Sequence, residues 1–208
     1  MKLYKYTSQE FIPSCVENGV YASNLGNIND PYEGKGISYP SQYRVVCMTN
    51  SPFQMLMWAY YGNHRGCCIT YEIDDSIVRK VDYTTEFQSH EDMTTEEVIE
   101  SLHHKGKEWE HENEYCVVYY APRANKDLWN IDGEDIFLKA QVEKVVFGLL
   151  AKEDKNYLKM LKYLQKHNRN HEKIDVSKCK LRNDKYQLES DKQFDIDIEI
   201  GMLEKKGK

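Results

Sequence analysis

The chain has 208 residues, a length that suits one domain, and 40% of them are hydrophobic while 30% are charged. This composition is typical of a globular protein, and the net charge of −6 argues against a dedicated nucleic-acid scaffold. Residues 152–185 are locally basic, with 11 Lys and Arg against 5 Asp and Glu, and such a segment could contact phosphates. We favour a solvated helix face for this segment, so a nucleic-acid partner is not the expected one.

The six cysteines show no C-x-x-C spacing, and no apolar run approaches the length of a membrane span. The N-terminus also lacks the pattern of a secretory signal. We therefore expect free thiols, a reducing cytoplasmic compartment and no membrane partner.

The first part of the chain predicts a strand, a helix and a long loop. Residues 3–6 form the strand, and Ser8 is a candidate cap for a helix that ends at Gly19, where a left-handed glycine is typical. Residues 23–42 are rich in Gly, Pro and Asn and predict a loop. A loop of this length inside a compact domain is usually functional.

A buried strand is predicted at 45–48, where apolar residues follow one another. Ser51, with a proline next to it and Gln54 three positions on, has the pattern of a capping box, so a helix is predicted over 53–61. This helix is apolar on nearly every side, which predicts that it is buried. Residues 67–73 then predict another strand.

A second capping box stands at residues 94–97, and the helix behind it places Val98, Ile99 and Leu102 near one face. The other predicted elements are strands at 78–83, 115–120, 142–148 and 195–200 and a helix at 157–167. Together the elements predict a single α+β domain over residues 1–208, with a split, mostly antiparallel mixed sheet and flanking helices.

Three polar clusters are candidates for chemistry, and the first consists of Asn29, Asp30 and Glu33 in the glycine-rich loop. Asn and Asp side chains often do no more than close a turn. Two carboxylates in such a loop also suit acid–base chemistry or the binding of a ribose. Both interpretations stay open, and the three residues are candidate substrate ligands.

The second cluster surrounds the end of the helix predicted at 53–61. Trp58 suits a core position and is also a candidate substrate contact, whereas Tyr61 presents an aromatic ring beside a turn. His64 and Arg65 follow in a turn bounded by glycines, where polar side chains have no packing role. We therefore count them among the candidate substrate ligands.

The third cluster consists of Glu110, Glu112 and Glu114. In an extended segment these carboxylates lie on one face and repel one another. Such repulsion is tolerated at an exposed rim or used around a cation. Glu114 stands at the start of a strand predicted with apolar neighbours, which makes it the leading catalytic candidate.

Four motifs follow one another along the chain: Leu-Tyr-Lys-Tyr at 3–6, Asn-Asp-Pro-Tyr-Glu at 29–33, Met-Trp-x-x-Tyr-Gly-x-His-x-Gly at 57–66 and Trp-x-x-Glu-x-Glu-Tyr at 109–115. In this order they resemble the bacterial domain-of-unknown-function family numbered 2971. The resemblance covers about residues 3–148 and leaves 149–208 outside the family-like core. It implies arginines where this chain has Thr7 and Cys116, so a contact to substrate phosphates would be lost or relocated here. It implies no established activity.

The order of segments is also similar, more distantly, to the ADP-ribosyltransferase-like enzymes. This similarity implies that Lys5 or Tyr6 on the first strand and the loop around Asp30 bind NAD as the substrate. It further implies that Tyr61 holds the nicotinamide and that Glu114 stabilises the oxocarbenium-like transition state, as a carboxylate does in glycosidases. The expected function is an NAD-dependent transferase with no metal cofactor and an unidentified acceptor, acting as a bacterial toxin or phage-defence effector.

Two rival functions stay open. A magnesium-dependent nuclease would use Asp30, Glu33 and Lys35, although these residues lie closer together in sequence than such a site usually requires. A non-catalytic module would bind a nucleotide or a peptide in a tyrosine-rich groove.

A zinc site is a third alternative, and its ligands would be His103, His104, Glu108 and His111. The H-E-x-x-H pattern that usually marks such a site on a helix is absent from this segment.

Overall fold

The computed structural model describes residues 1–87 and 89–206. The chain divides into two compact units, each made of several chain segments. Unit 1 comprises Met1, Asn18–Asn50 and Ile73–Ala140, and unit 2 comprises Lys2–Glu17, Ser51–Glu72 and Gln141–Lys208. Among the described residues, no helix is both long enough and apolar enough to cross a membrane.

Helices and strands follow one another irregularly and most strand pairs are antiparallel, which confirms the predicted α+β class. The α-helices are α1 (Ile12–Asn18), α2 (Met55–Tyr60), α3 (Thr95–Ser101), α4 (Tyr157–Asn170) and α5 (Ile196–Lys206). The strands are β1 (Lys2–Thr7), β2 (Val20–Tyr21), β3 (Ser23–Asn24), β4 (Tyr43–Thr49), β5 (Cys67–Glu72), β6 (Arg79–Lys80), β7 (Asp82–Thr84), β8 (His104–Gly106), β9 (Glu114–Tyr120), β10 (Trp129–Asp132), β11 (Asp135–Leu138), β12 (Val142–Phe147), β13 (Asp175–Leu181) and β14 (Leu188–Ser190). Short 3-10 helices occupy Gln9–Phe11, Leu25–Asn27, Pro40–Gln42, Asp75–Ile77, Lys107–Glu112, Ala121–Arg123 and Ala151–Glu153.

Unit 1 is organised around the antiparallel pair of β4 and β9. Strand β3 pairs with β4, and β6 pairs with β9. The strands β10, β11 and β2 form a separate antiparallel sheet, while β7 and β8 form a parallel pair. The β4–β9 pair is rich in β-branched and aromatic residues, which pack well on a pleated surface. Val45, Val98 and Leu102 belong to one buried cluster, so α3 covers this pair.

Helix α3 begins at a complete capping box, as the sequence predicts. The hydroxyl of Thr94 accepts a hydrogen bond from the N–H of Glu97, and the Glu97 carboxylate accepts one from the N–H of Thr94 at 2.8 Å. The box satisfies N–H groups that the first turn of a helix leaves without partners. It therefore fixes where the buried face of α3 begins.

Unit 2 contains five paired strands in the order β14-β13-β12-β5-β1. Strands β12 and β13 are parallel and the other neighbouring pairs are antiparallel. Helix α4 connects β12 to β13, since parallel neighbours need a crossover segment. The core of this unit contains Tyr6, Trp58, Cys68 and Val146.

The cap predicted for α2 at Ser51 is wrong, because α2 begins at Met55. The indole Nε1 of Trp58 donates to the carbonyl of Pro52 at 3.0 Å, and the hydroxyl of Tyr6 donates to the carbonyl of Ser51 at 2.9 Å. These two side chains hold the backbone before α2 in a turn. Tertiary hydrogen bonds thus replace the predicted local cap.

The prediction that α2 is buried on every side is also wrong. Met57 and Trp58 are buried, whereas Met55, Leu56 and Tyr60 are each at least 42% exposed. The apolar residues of α2 therefore divide into a core face and a surface face.

The strand predicted at 195–200 is wrong, because these residues begin α5. The Asp195 carboxylate accepts hydrogen bonds from two N–H groups of the first turn, at 2.9 and 3.0 Å. Glu199 is buried, where it accepts a hydrogen bond from the Tyr157 hydroxyl at 2.9 Å and pairs with Lys152 at 2.9 Å. The alternation of acids and isoleucines imitates a strand, but the cap and these contacts stabilise a helix.

We expect Trp58→Ala to be the most destabilising truncation in α2. The indole is 1% exposed and packs edge-on against Tyr6, so its removal leaves a large cavity and an unpaired carbonyl. The expected loss in the free energy of unfolding is roughly 3–5 kcal/mol. Leu56→Ala, on the exposed face, is the matched control, and urea titrations of both variants provide the measurement. A larger loss for Leu56→Ala would contradict this division of the helix.

Candidate functional site

The polar end of the β4–β9 pair carries a set of groups that could perform chemistry. Thr49 lies opposite Glu114, and Cys47 lies opposite Cys116. Farther along both strands the same face becomes apolar and joins the core beneath α3. The face therefore changes from apolar to polar toward the start of β9.

The extended conformation that would align Glu110, Glu112 and Glu114 on one face is not adopted. A 3-10 helix covers Lys107–Glu112, and Asn113 then adopts a left-handed conformation with φ of 48°. As a result Glu110 is exposed, whereas Glu112 and Glu114 are 1% and 3% exposed. Glu114 does stand at the start of its strand, as predicted.

A buried lysine lies between two buried carboxylates. Lys105, in β8, places its Nζ 2.6 Å from Oε2 of Glu114 and 3.3 Å from Oε2 of Glu33. All three side chains are at most 7% exposed. The two contacts are ion pairs, and neither has the angles of a hydrogen bond. Burial alone lowers the pKa of Lys105, but Cys47, Glu33 and Glu114 raise it well above its ordinary value. The lysine therefore carries its positive charge inside unit 1.

Glu33 is positioned by the turns of its loop. The Asp30 side chain accepts a hydrogen bond from the N–H of Tyr32 at 2.9 Å, and the Asp30 carbonyl accepts one from the N–H of Glu33 at 3.3 Å. Leu25 and Ile37, on either side of these turns, are buried in the same cluster. Asp30 is thus a turn-forming residue, as one of the two sequence interpretations holds, and it also orients Glu33.

Glu33 is the most perturbed carboxyl of this cluster. Burial raises its pKa from 4.5 to about 7, with Glu114 and Asp30 adding to the rise and Lys105 opposing it. Its Oε1 is buried and has no hydrogen-bond partner among the described residues. The carboxyl can therefore hold or release a proton near neutral pH, which suits a general acid or base.

Glu33 faces a cavity of about 860 Å³ that lies within unit 1. Asp30, Glu33 and Lys105 line its buried end, and α3 contributes Glu97 and Glu100. Among residues 1–87 and 89–206, six carboxylates and one lysine line the cavity. Such a lining attracts a cation and disfavours an anion.

An aromatic pair lies at the exposed part of the same cavity. The rings of Tyr32 and Phe87 have centroids 5.0 Å apart and are 53% and 46% exposed. The Nζ of Lys35 lies 5.1 and 5.4 Å from the two centroids, and Nδ1 of His90 lies 2.5 Å from the Lys35 carbonyl. Exposed aromatic faces of this kind can stack on a planar ring.

The structure brings together part of the predicted site. Glu33 and Glu114 meet at Lys105 although they are 81 positions apart in sequence, and Asp30 lies close enough to Glu33 to affect its pKa. Glu114 is absent from the cavity lining, and its carboxylate contacts Lys105, which does line the cavity. Asn29 is exposed and likewise does not line the cavity.

The geometry bears on the two metal alternatives. The cation beside Glu33 is Lys105, whereas Lys35, which the nuclease pattern would place there, lies over the rings of Tyr32 and Phe87. Within residues 1–87 and 89–206, no group of three or more His, Cys, Asp or Glu residues is arranged to hold a metal ion. The side chains of the zinc alternative therefore do not form such a group.

The other predicted site residues belong to unit 2. Tyr6 and Trp58 are buried, with ring centroids 5.1 Å apart, and Tyr61 packs half-buried against the same core. Lys5 is half-buried on β1, opposite Ile69 of β5. Their roles in substrate binding or catalysis stay predictions.

His64 and Arg65 lie in the turn that ends α2. The His64 carbonyl accepts a hydrogen bond from the N–H of Leu150 at 2.8 Å, and it lies so close to Gly148 that a Cβ there would come within 2.3 Å. Arg65 pairs with Glu153 at 2.5 Å. The turn is thus attached to the segment around residues 148–153 of the same unit. Nδ1 of His64 is buried without a hydrogen-bond partner among the described residues. The convergence of His64 with the carboxylates of unit 1 stays a prediction.

Sequence reasoning missed Lys105 and the pair of Tyr32 and Phe87. Lys105 lies in a strand of three residues between a helix and a 3-10 helix, which is too short to show a burial pattern. The two aromatic residues are 55 positions apart, and no local signal indicates their contact.

Comparisons of this chain with protein-family models, with curated proteins and with solved structures found no match. The resemblances drawn from the motifs and from the segment order therefore stay predictions.

We expect Glu33→Gln to change how stability depends on pH. The folded protein keeps a proton on Glu33 between about pH 4.5 and 7 that the unfolded chain has released, so the wild type loses stability as pH rises through this range. Glutamine has no such proton, so the variant should gain up to roughly 3 kcal/mol relative to the wild type across the range. Urea titrations at several pH values measure this difference.

Glu110→Gln is the matched control, because Glu110 is exposed. Its stability relative to the wild type should stay nearly constant over the same range. Parallel pH curves for the wild type and Glu33→Gln would contradict the perturbed state of Glu33.

Proposed function

We propose that unit 1 is a catalytic unit that breaks the N-glycosidic bond between a ribose and a cationic, planar nitrogen ring, with NAD as the leading substrate. The observation that carries this proposal is the buried Glu33 carboxyl, whose pKa lies at about 7 and whose free oxygen faces an acidic cavity. The proposal keeps the chemistry expected from the sequence and moves its centre from Glu114 to Glu33.

The charge of the cavity suits this reaction. Cleavage of the bond generates an oxocarbenium-like sugar, and carboxylates near the ribose stabilise the developing positive charge. Glu33 and five other carboxylates of the described residues line the cavity. The substrate ring is itself cationic before cleavage, so the same lining favours its entry.

The aromatic pair supplies a second recognition element. Tyr32 and Phe87 are about half exposed beside the cavity, and a nicotinamide ring could stack on either by displacing the Lys35 ammonium that lies over both rings. A ring held there would place the attached ribose toward the buried end, where Asp30 and Glu33 lie. Glu33 would then act as the acid or base for the ribose and for the attacking group.

Glu114 acts through Lys105 in this proposal. Its Oε2 lies 2.6 Å from the ammonium and holds the cation in place beside Glu33. It is therefore a positioning residue, which sets the charge state of Glu33 without touching the substrate.

The phosphates of NAD find few positively charged groups in this cavity. Within the part of the chain that the structure describes, Lys105 is the one lysine that lines the cavity, and it already contacts two carboxylates. The pyrophosphate, which is attached to the ribose, would therefore have to turn back from the buried end toward the solvent side, near the Lys35 ammonium. Nicotinamide riboside, which lacks phosphates, should react at least as well as NAD.

A non-catalytic module is the second candidate, and the same acidic lining favours it. Six carboxylates around a large cavity could bind an organic cation without any bond breaking. The two candidates differ in whether a bound ring is released from its ribose.

We expect the wild type to release nicotinamide from NAD and from nicotinamide riboside. Glu33→Gln should lower kcat/KM by about 10²–10⁴-fold, because a positioned acid or base commonly contributes that factor. Chromatography of the free base measures the rate, at a temperature where urea titration shows the variant to be folded.

Glu110→Gln, outside the cavity, should retain the wild-type rate. Binding of nicotinamide riboside by calorimetry without release of the base would replace the enzyme with the non-catalytic module. Release at equal rates by the wild type and Glu33→Gln would keep the activity and remove Glu33 from it.

A further inference from the structure

Two thiols face each other on the polar face of the β4–β9 pair. Cys47 and Cys116 are register partners on adjacent antiparallel strands, and their Sγ atoms lie 3.0 Å apart. Neither is part of a disulfide in this structure. Directly opposed residues of antiparallel strands have Cα atoms about 4.5–5.5 Å apart, within the range that a disulfide spans. The two sulfurs could therefore bond with little movement of the strands.

The surroundings of the two thiols differ. Cys47 is partly exposed, and its Sγ lies 4.0 Å from the Lys105 ammonium. Reactive cysteines are found in such partly exposed sites beside a cation, because the thiolate is the nucleophile. Cys116 is 0% exposed, and a hydrogen bond with Cys47 together with burial raises its pKa well above the ordinary value. Cys47 is thus suited to attack first, and Cys116 is suited to react second.

We propose that Cys47 and Cys116 form a reversible dithiol site whose co-substrate is a small organic disulfide. Cys47 loses its proton to solvent and its sulfur attacks one sulfur of the co-substrate, whose S–S bond breaks. The leaving thiolate takes up a proton, and Cys47 carries a mixed disulfide.

Cys116 completes the exchange. It loses its proton and attacks Sγ of Cys47, which releases the second co-substrate thiol and forms the Cys47–Cys116 bond. Two protein thiols are oxidised and one small disulfide is reduced to two thiols, so the electrons balance. An excess of a small dithiol reverses the reaction.

The proposal for the two cysteines does not depend on the proposed cleavage reaction, although both sites lie beside Lys105. It rests on the register of two strands and on the position of one ammonium, and none of its steps uses the cavity. The other four cysteines are buried, and no such cross-strand pairing is shown for them among the described residues.

The test exposes the reduced, full-length protein to oxidised glutathione, followed by alkylation of remaining thiols, proteolysis and mass spectrometry. We expect a peptide pair joined by Cys47 and Cys116, which dithiothreitol converts back to two thiols. Cys116→Ala should stop at a stable glutathione adduct on Cys47, because the second thiol is missing. Cys47→Ala should leave Cys116 unmodified.

Cys179→Ala is the matched control, because Cys179 is a buried cysteine outside the pair. It should form the Cys47–Cys116 bond as the wild type does. A wild-type protein that keeps Cys116 alkylatable while Cys47 carries glutathione would overturn the proposal. So would a protein in which neither cysteine reacts.

Discussion

The arrangement of unit 1 depends on one buried positive charge. A lysine ammonium taken out of water is costly unless opposite charges surround it, and two carboxylates alone in the same space would repel each other. Lys105 removes both costs. It contacts Glu33 from the long loop and Glu114 from the start of β9, so its own charge is paired and the two carboxylates share a cation. The loop of Glu33 therefore meets the distant segment of Lys105 and Glu114 at this ammonium, and loss of the loop contact would remove one of the two carboxylates from the buried charge.

The same ammonium links two kinds of chemistry. It lies 3.3 Å from the carboxylate proposed as acid or base and 4.0 Å from the sulfur proposed as nucleophile. A bond between Cys47 and Cys116 would remove a sulfur on which negative charge can reside, and the ammonium would then interact with the carboxylates alone. The proton affinity of Glu33 would respond, because Lys105 is the group that opposes its rise. Oxidation of the two cysteines would in this way change the pKa of Glu33, because both sites contact Lys105.

Local patterns predicted the parts of the fold that local interactions determine. The strands at 45–48 and 115–120 and the capping box at 94–97 appear where the sequence indicates. The failures occur where contacts between distant segments decide, as at Ser51, whose backbone Tyr6 holds. For the site, residue type and loop composition indicated Asp30, Glu33 and Glu114. The counter-charge and the aromatic pair could not be predicted, because each is defined by a contact between distant positions. Glu33 and Lys105 are 72 positions apart, and Tyr32 and Phe87 are 55 positions apart.

The strand order of unit 2 has a consequence for synthesis on the ribosome. Strand β5 pairs with β1 on one edge and with β12 on the other, and about 70 residues separate β5 from β12 in the chain. Its residues Cys67–Tyr71 are buried in the finished protein. During synthesis, β5 therefore has no partner strand on one edge until β12 has left the exit tunnel. Open apolar edges are where chains pair wrongly, so the interval before β12 emerges is when this protein most needs a chaperone.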